Sequence, residues 1–486
     1  MKKALIAIVL LLIVIASHSQ TSNVLVKEKT IGRITSTQEE IKANEYIFSE
    51  RIYHSYIDTI SKSITVQLRG LSNNGKWMNK GKVIFYDLNT KKVRWSKNID
   101  YQKNSLQQFG STIIFTVGNK SYRLNNENGE KLWMSRNDIY FIDTVAGIGV
   151  GYKFESIKGR YDNLLEGIDL ETGKTKWKRE LNEEYGWNDV IKLTDSVWMI
   201  VAAGLHTVNI YDGTGWSYKT VTGDKYYNET AAASAAGVVL GVFTGVFMIS
   251  TGNYILRDVV SNVYSDSADF YFASREKLSR INKDNGKAIW SYPFSAKLPS
   301  KSFLFANENQ LFMINYGYAF KGIGLSSYGV SYDGYNRMEL RQWKSPVNYG
   351  TPFFAAFNKE NGEQIFCTTL DKESPIFDFM IEDDNLLLVL NDRIVKFSIS
   401  DGGKIFEKIM NNDELESFID DYIHIDGGKI GDYKLAFKNN QTIIVDADNK
   451  KVAELYIARK AVLIGNKLYT IQEESFLEID VTNLIK

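Results

Sequence analysis

The 486-residue sequence has a single cysteine, Cys367, together with only five prolines and four histidines. One cysteine excludes an internal disulfide, and we expect it to be a buried small apolar residue. After the first 19 residues the histidines are His54, His206 and His424, which lie far apart and show no metal-ligand spacing. The 58 basic residues equal the 58 acidic ones, so no charge excess indicates a nucleic-acid partner.

Motifs for catalysis are also missing. The sequence contains no G-x-S-x-G nucleophile motif and no calcium loop of the EF-hand type. We therefore predict no catalytic, cofactor-binding or metal-binding residue.

What the sequence does have is a nine-residue stretch that recurs, with its clearest copy at Asp169–Trp177. An acidic or amide residue opens the stretch, glycine stands fifth, and an aromatic residue closes it. Further copies lie at Asp87–Trp95, Asn125–Trp133, Asn282–Trp290, Asn358–Phe366 and Ser398–Phe406, and a degraded copy without the closing aromatic lies at Asp446–Glu454. Such internal repetition indicates the architecture of a chain more directly than any other sequence signal.

The repeated stretch has the chemistry of a β-hairpin. Its first side chain can accept hydrogen bonds from the backbone two residues on, which favours a turn. The fifth residue is Gly129, Gly173, Gly286, Gly362 or Gly402, which supplies a positive φ without strain, whereas Lys91 in the first copy predicts a slightly strained turn. The closing aromatic residues, Trp95, Trp133, Trp177, Trp290, Phe366 and Phe406, are expected to dock between sheets, provided that the tryptophan N–H groups find acceptors.

The spacing of the copies predicts one four-stranded sheet per repeat. Trp95 and Trp133 are 38 residues apart, Trp133 and Trp177 are 44 apart, and Phe366 and Phe406 are 40 apart. Sheets of this size arranged radially form a β-propeller. We predict an all-β propeller of eight four-stranded blades, or seven if the poor fourth copy, with a shortened turn at 212–216, is not a full sheet.

The repeat resembles that of the PQQ-like (quinoprotein) β-propeller family, over nearly the whole chain. The family that the repeat resembles includes quinoprotein dehydrogenases. Those enzymes hold pyrroloquinoline quinone and Ca²⁺ in a central channel beside a catalytic aspartate. Many of those enzymes carry a vicinal disulfide, which a chain with one cysteine cannot form. Many exported members of the family are non-catalytic, and some assist outer-membrane protein assembly by offering strand edges or loops to partners.

Residues 1–19 have the features of a signal peptide. Lys2 and Lys3 precede a 13-residue apolar run, Ala4–Ala16, which is too short to span a bilayer. An uncleaved anchor is the alternative. We predict an exported protein, in the periplasm, on the outer surface or outside the cell, with a flexible lead-in at 20–44 and the propeller at 45–486. Strand-like segments in 462–485 are expected to pair with the N-terminal strands.

The first departure from the repeat is an insertion at about 217–257, which contains the uncharged run Ala231–Ser250. Gly237, Gly241 and Gly245 are spaced by four, so on a helix they would form one small-residue face. We weigh three roles for this run. It can pack on the protein itself, which we favour, or it can contact a protein partner or the membrane.

The second departure is an insertion at 316–350, which is rich in tyrosine, glycine and serine. Binding loops favour these residues, because tyrosine gives broad contact at low entropic cost. The candidate interaction residues are Tyr318, Tyr328, Tyr332, Tyr335 and Trp343. The alternative is a long loop whose rings cover a sheet edge.

The sequence thus favours a non-catalytic propeller that binds or scaffolds proteins of the bacterial cell envelope, without nucleic acid or a cofactor. The partner's identity is not encoded in any motif. Two alternatives remain at this point. The first is a PQQ- and Ca²⁺-dependent quinoprotein oxidoreductase, and the second is a propeller that binds or senses a small molecule.

Overall fold

The computed structural model describes residues 24–482, except 59–60, 156–159, 183–188, 221–247, 250–258, 295–299, 323–342, 349, 373, 375, 383, 391, 412–413, 416–428, 431–432, 439–440, 449, 458–460 and 465. The predicted signal peptide lies outside the described residues. The chain divides into two compact units. The first comprises Met1–Ile113, Leu124–Leu132 and His424–Lys486, and the second comprises Ile114–Arg123 and Trp133–Ile423.

The described residues form strands throughout. In chain order these are β1 (Leu25–Ile34), β2 (Glu40–Ile47), β3 (Ile52–Asp58), β4 (Ser63–Leu71), β5 (Trp77–Asp87), β6 (Lys92–Asp100), β7 (Asn104–Phe109), β8 (Thr112–Val117), β9 (Lys120–Leu124), β10 (Lys131–Ser135), β11 (Asn137–Asp143), β12 (Ile148–Glu155), β13 (Arg160–Asp169), β14 (Thr175–Glu180), β15 (Asp189–Lys192), β16 (Val197–Val201), β17 (Gly204–Asn209), β18 (Ser217–Lys219), β19 (Met248–Ile249), β20 (Tyr264–Ser265), β21 (Asp269–Ala273), β22 (Lys277–Asn282), β23 (Ala288–Pro293), β24 (Ser302–Ala306), β25 (Gln310–Asn315), β26 (Tyr318–Gly322), β27 (Trp343–Asn348), β28 (Phe353–Asn358), β29 (Gln364–Thr369), β30 (Ile376–Glu382), β31 (Asn385–Leu390), β32 (Arg393–Ser398), β33 (Lys404–Ile409), β34 (Lys429–Ile430), β35 (Tyr433–Lys438), β36 (Gln441–Val445), β37 (Lys451–Leu455), β38 (Ala461–Ile464), β39 (Lys467–Ile471) and β40 (Ser475–Asp480).

Four-stranded sheets dominate the topology. Seven occur among the described strands, in the orders β3-β4-β5-β6, β10-β9-β8-β7, β11-β12-β13-β14, β15-β16-β17-β18, β20-β21-β22-β23, β24-β25-β28-β29 and β30-β31-β32-β33. A nine-stranded sheet has the order β34-β35-β36-β37-β1-β2-β40-β39-β38. The one-sheet-per-repeat prediction is therefore confirmed for these seven sheets, while the total of eight blades stays a prediction.

The burial of each strand explains why the sequence shows two kinds of apolar pattern. Inner strands such as β16 (VWMIV) and β31 (NLLLVL) are buried along almost their whole length, because other residues cover both faces of their sheets. The last strand of a sheet, such as β29, alternates between exposed and half-buried residues. Cys367 lies on β29 and its side chain is exposed, so the expectation that it is buried is wrong.

The two chain ends contribute strands to one sheet. β40 pairs with β2, with Tyr46 opposite Phe476, as predicted for the C-terminal segments. The flexible lead-in at 20–44 is wrong from Leu25 onwards, because β1 and the start of β2 lie there and β1 also pairs with β37. Ile31 and Ile41 are buried while the intervening polar residues are on the surface, which explains why composition alone suggested a loop.

The core consists of apolar layers between successive sheets. In the second unit, residues of β11–β14 pack with those of β15–β18, for example Tyr152 and Leu165 with Trp198 and Val208. Equivalent layers join β15–β18 with β20–β23, β20–β23 with β24–β29, and β24–β29 with β30–β33. In the first unit, a layer around Tyr46 joins β2, β39 and β40 with β3–β5. Hydrophobic burial between sheets therefore follows the order of the repeats.

Candidate functional site

In six successive repeats, the aromatic residue lies on the glycine turn of the next repeat. The Trp177 Nε1 atom donates a hydrogen bond to the carbonyl oxygen of Ile210 at 2.7 Å. Its ring covers Gly213, where a Cβ would lie 2.6 Å from Trp177 Cε3. The same arrangement joins Trp95 to Asn126 and Gly129, Trp133 to Leu170 and Gly173, Trp216 to Lys283 and Gly286, and Trp290 to Lys359 and Gly362, while Phe366 covers Gly402 without a donor. This aromatic–glycine ladder fixes each sheet against its successor.

The turn beneath each tryptophan of the ladder is built as an Asx turn. The Asp169 carboxylate accepts hydrogen bonds from the N–H groups of Glu171 and Thr172, at 3.0 and 2.8 Å. The Gly173 N–H then donates to the Asp169 carbonyl oxygen, and Gly173 has a φ of +72°. In the first copy Lys91 holds this position with a φ of +54°, the strained conformation that the sequence predicted.

The fourth repeat contains an aromatic residue that the sequence frame did not assign. Its turn opens at Asn209, and Gly213 is fifth, as in the other copies. Trp216 follows the glycine by three residues instead of four, because this copy lacks the residue that forms a bulge before Trp177. The spacing from Asn209 to Gly213 was the signal that could have identified it.

The ladder has an end at Phe406. Five positions into the next copy, which opens at Asp446, the residue is Lys450 and not glycine. Phe406 is 41% exposed, whereas Trp95 and Trp177 are each 7% exposed. All six residues of β33, the last strand of its sheet, are exposed.

The two insertions meet in a sheet of their own. β26 and β27 form an antiparallel hairpin inside the 316–350 insertion. β19, from the end of the 231–250 run, pairs with β26 in parallel, with Met248 opposite Phe320 and Ile249 opposite Lys321. We call these three strands the insertion sheet. It brings together two stretches that the sequence indicated separately.

The structure places only some of the predicted interaction residues. Tyr318 begins β26 and Trp343 begins β27, where Trp343 pairs with Gly322. The others, Tyr328, Tyr332, Tyr335, Gly237, Gly241 and Gly245, lie outside the described residues.

Hydrogen bonds fix the chain at the place where the 316–350 insertion departs from the scaffold. The Gly317 N–H donates to Ser300 Oγ at 2.8 Å, and Ser300 Oγ donates to the Asn315 side chain. The Asn315 amide in turn donates to the Thr351 carbonyl oxygen at 3.3 Å, where the chain returns. Gly317 has a φ of +76° and packs on Pro352, so both ends of the insertion are anchored together.

Two half-buried charges lie beside this anchor. The Lys301 ammonium is 4.6 Å from the centre of the Tyr316 ring. Burial lowers the pKa of Lys301 to about 8, although the nearby Asp378 carboxylate opposes the shift. Burial likewise raises the pKa of Asp378, against the opposing effect of Lys301. Lys301 precedes β24 and Asp378 lies on β30, so both charges are close to the root of the insertion.

The resemblance implies a quinone and a calcium site, and the ligands that calcium takes are known. Ca²⁺ takes six to eight oxygen ligands. No group of three or more histidine, cysteine, aspartate or glutamate side chains lies together in the described part of the chain. Across those same residues, no helix is long and apolar enough to cross a membrane.

The repeated four-stranded sheets and the ladder between them define a β-propeller. More particularly, residues 77–243 match the family model described as outer membrane protein assembly factor BamB, so the predicted PQQ-like resemblance is confirmed over that part of the chain. No curated protein gives a significant match.

Solved structures with low sequence identity are similar. BamB from Moraxella catarrhalis is 12% identical, covering 77% of this chain and 96% of its own, with a TM-score of 0.34. The quinohemoprotein alcohol dehydrogenase from Comamonas testosteroni is 8% identical, covering 95% of this chain and 78% of its own, with a TM-score of 0.33. The C-terminal WD40 domain of Sif2 is 9% identical, covering 94% and 98%, with a TM-score of 0.30.

Proposed function

We propose that this protein is an exported, non-catalytic β-propeller that binds other proteins of the bacterial cell envelope through its insertion sheet. The observation that carries the proposal is the pairing of β19 with β26, which joins the apolar and the tyrosine-rich insertions. The match of residues 77–243 to an outer membrane protein assembly factor supports an envelope role.

The insertion sheet is carried by a fixed scaffold. The aromatic–glycine ladder and the anchor at Gly317 hold the scaffold. Binding loops gain affinity when a rigid scaffold positions them, because less conformational entropy is lost on association. The insertion sheet extends from such a scaffold, and the 316–350 sequence has the tyrosine, glycine and serine content of binding loops.

Site-specific photocrosslinking in intact cells tests the proposal. A photoreactive amino acid would replace Tyr318 or Trp343 in the insertion sheet, and the matched controls would replace Tyr211 or Tyr456, which are about half exposed elsewhere. We expect one discrete envelope protein to be captured from the insertion positions and not from the controls. Equal capture from all four positions, or capture from the controls alone, contradicts the proposal.

A contact with the membrane through 231–250 is a separate part of the proposal, motivated by its twenty uncharged residues. Membrane pellets would be washed with high salt and then with alkaline carbonate, for the intact chain and a deletion of 231–247. If the intact chain stays in the membrane pellet through both washes and the deletion variant does not, the membrane contact is established. Release of both forms would assign the run to the fold or to a protein interface.

We also propose that no quinone cofactor is needed. Isothermal titration of the purified chain with pyrroloquinoline quinone and Ca²⁺ is expected to give no binding heat. Stoichiometric binding with dye-linked alcohol or sugar oxidation would support the oxidoreductase alternative instead.

A further inference from the structure

An aromatic cluster surrounds Arg69 on the β3–β6 sheet, far in sequence from either insertion. The Arg69 guanidinium carbon lies 4.7 Å from the centre of the Tyr53 ring and 4.9 Å from that of Tyr101. The Tyr53 ring is also 5.3 Å from that of Trp77 and 5.2 Å from that of Tyr101. We call Tyr53, Arg69, Trp77 and Tyr101 the Arg69 cradle; all four are half-buried.

The local sequence explains how the cradle forms. The register of β3 against β4 shifts between Ile52 and His54, so Tyr53 is the extra residue of a bulge. Gly81 lies opposite Arg69, and a Cβ there would be 2.8 Å from the Tyr101 ring. The Tyr101 hydroxyl donates to the Leu68 carbonyl oxygen at 3.2 Å. Burial raises the Tyr101 pKa, so this donor keeps its proton at neutral pH.

Arg69 has no carboxylate partner among the described residues, a property it shares with Arg123 and Arg179, which donate to backbone carbonyl oxygens. The Arg69 Nε atom donates to the Met78 carbonyl oxygen. In contrast, Arg94, Arg280 and Arg393 each pair with aspartate or glutamate. The cradle thus fixes the guanidinium plane and leaves its Nη edge without a carboxylate partner.

We propose that the Arg69 cradle binds a carboxylate side chain from an extended segment of a partner protein. A guanidinium can donate two parallel hydrogen bonds to one carboxylate, and its stacking on tyrosine reduces the entropy lost on binding. The positive charge selects an acidic residue. Tyr53 and Trp77 supply an apolar wall for the residues beside it, and tyrosine, tryptophan and arginine dominate the energetics of protein interfaces.

The Arg69 cradle shares no residue with the insertion sheet, so the test of the cradle is independent of the test of the proposed function. The test begins with selection of random dodecapeptides on the full chain. The affinity of an enriched peptide is then measured by isothermal titration, alongside the same peptide with its acidic residue changed to the amide. Variants are Arg69→Gln, Arg69→Lys and, as a matched loss of one exposed positive charge away from the cradle, Lys92→Gln.

We expect enrichment of aspartate or glutamate, and at least a tenfold loss of affinity with Arg69→Gln or with the amide peptide. Arg69→Lys should lose part of the affinity, since an ammonium lacks the planar fork, and Lys92→Gln should bind as the native chain does. If Arg69→Gln fails to fold by circular dichroism, the Arg69→Lys comparison decides. Unchanged binding by Arg69→Lys and the amide peptide, enrichment without acidic residues, or equally tight binding of inorganic phosphate would overturn the proposal.

Discussion

Replacing Gly173 with alanine should destabilise the fold strongly, because two costs coincide there. Gly173 has a φ of +72°, a conformation that costs a residue with a Cβ about 1–2 kcal/mol. The new Cβ would lie 2.8 Å from Trp133 Cδ2, on a ring held by its hydrogen bond to Leu170. Overpacking of this kind adds about 1–3 kcal/mol. We therefore expect Gly173→Ala to lower the free energy of unfolding by about 2–5 kcal/mol.

Gly147 provides the matched control. Its φ of +68° is nearly the same, but no atom lies within 4 Å of the position that its Cβ would take. Gly147→Ala should therefore show the backbone cost alone, about 1–2 kcal/mol. Urea unfolding followed by circular dichroism gives both values on one scale.

The double variant isolates the ring contact. In a Trp133→Ala background the clash is gone, so Gly173→Ala should cost no more than Gly147→Ala does in the native chain. If Gly173→Ala and Gly147→Ala are equally destabilising in the native background, the aromatic–glycine contact does not limit the choice of residue. The explanation of the repeat by the ladder would then be refuted.

Four further outcomes are expected. Trp177→Phe should lower the free energy of unfolding by about 1–3 kcal/mol in urea, since the buried Ile210 carbonyl loses its donor. Burial lowers the folded-state pKa of His206 to about 4, so the unfolded chain takes up this proton first. Stability should fall by up to about 3 kcal/mol as the pH drops from about 6.5 to 4, and His206→Gln should remove that part of the slope. The exposed Cys367 should react fully with maleimide in the folded chain, slowly at neutral pH because partial burial raises its pKa. N-terminal sequencing of the exported protein should begin at Gln20.

The repeat was readable from sequence because its physics is local. Asp169 and Gly173 act on a turn of a few residues, so their spacing survives in nearly every copy. Trp216 was missed because a one-residue deletion moved it out of the fixed frame, although the turn itself is intact. The strand β1 was missed because its hydrogen bonds run to β2 and β37, and the latter pairing joins residues more than 400 positions apart.

The candidate site was predictable only in part. Composition marked both insertions, but no local pattern could show that Met248 pairs with Phe320. The Arg69 cradle gave no sequence signal, since Tyr53, Arg69 and Tyr101 are spread over three segments and meet only through strand pairing. Short-period sequence patterns do not predict contacts between residues that are far apart in the chain, and the candidate site depends on such contacts.

The position of the second insertion predicts that its length has little effect on the stability of the scaffold. β25 pairs with β28 in an unbroken register from Gln310 opposite Asn358 to Asn315 opposite Phe353, so everything between the strands is a hairpin connection. The entropic cost of closing such a connection grows only slowly with its length. Replacing 318–348, which removes β26 and β27, with a short glycine–serine linker should therefore leave the urea midpoint almost unchanged while abolishing co-purification of the captured envelope protein. A large loss of stability would instead show that the insertion is part of the core, and the binding role proposed for it would lose its physical basis.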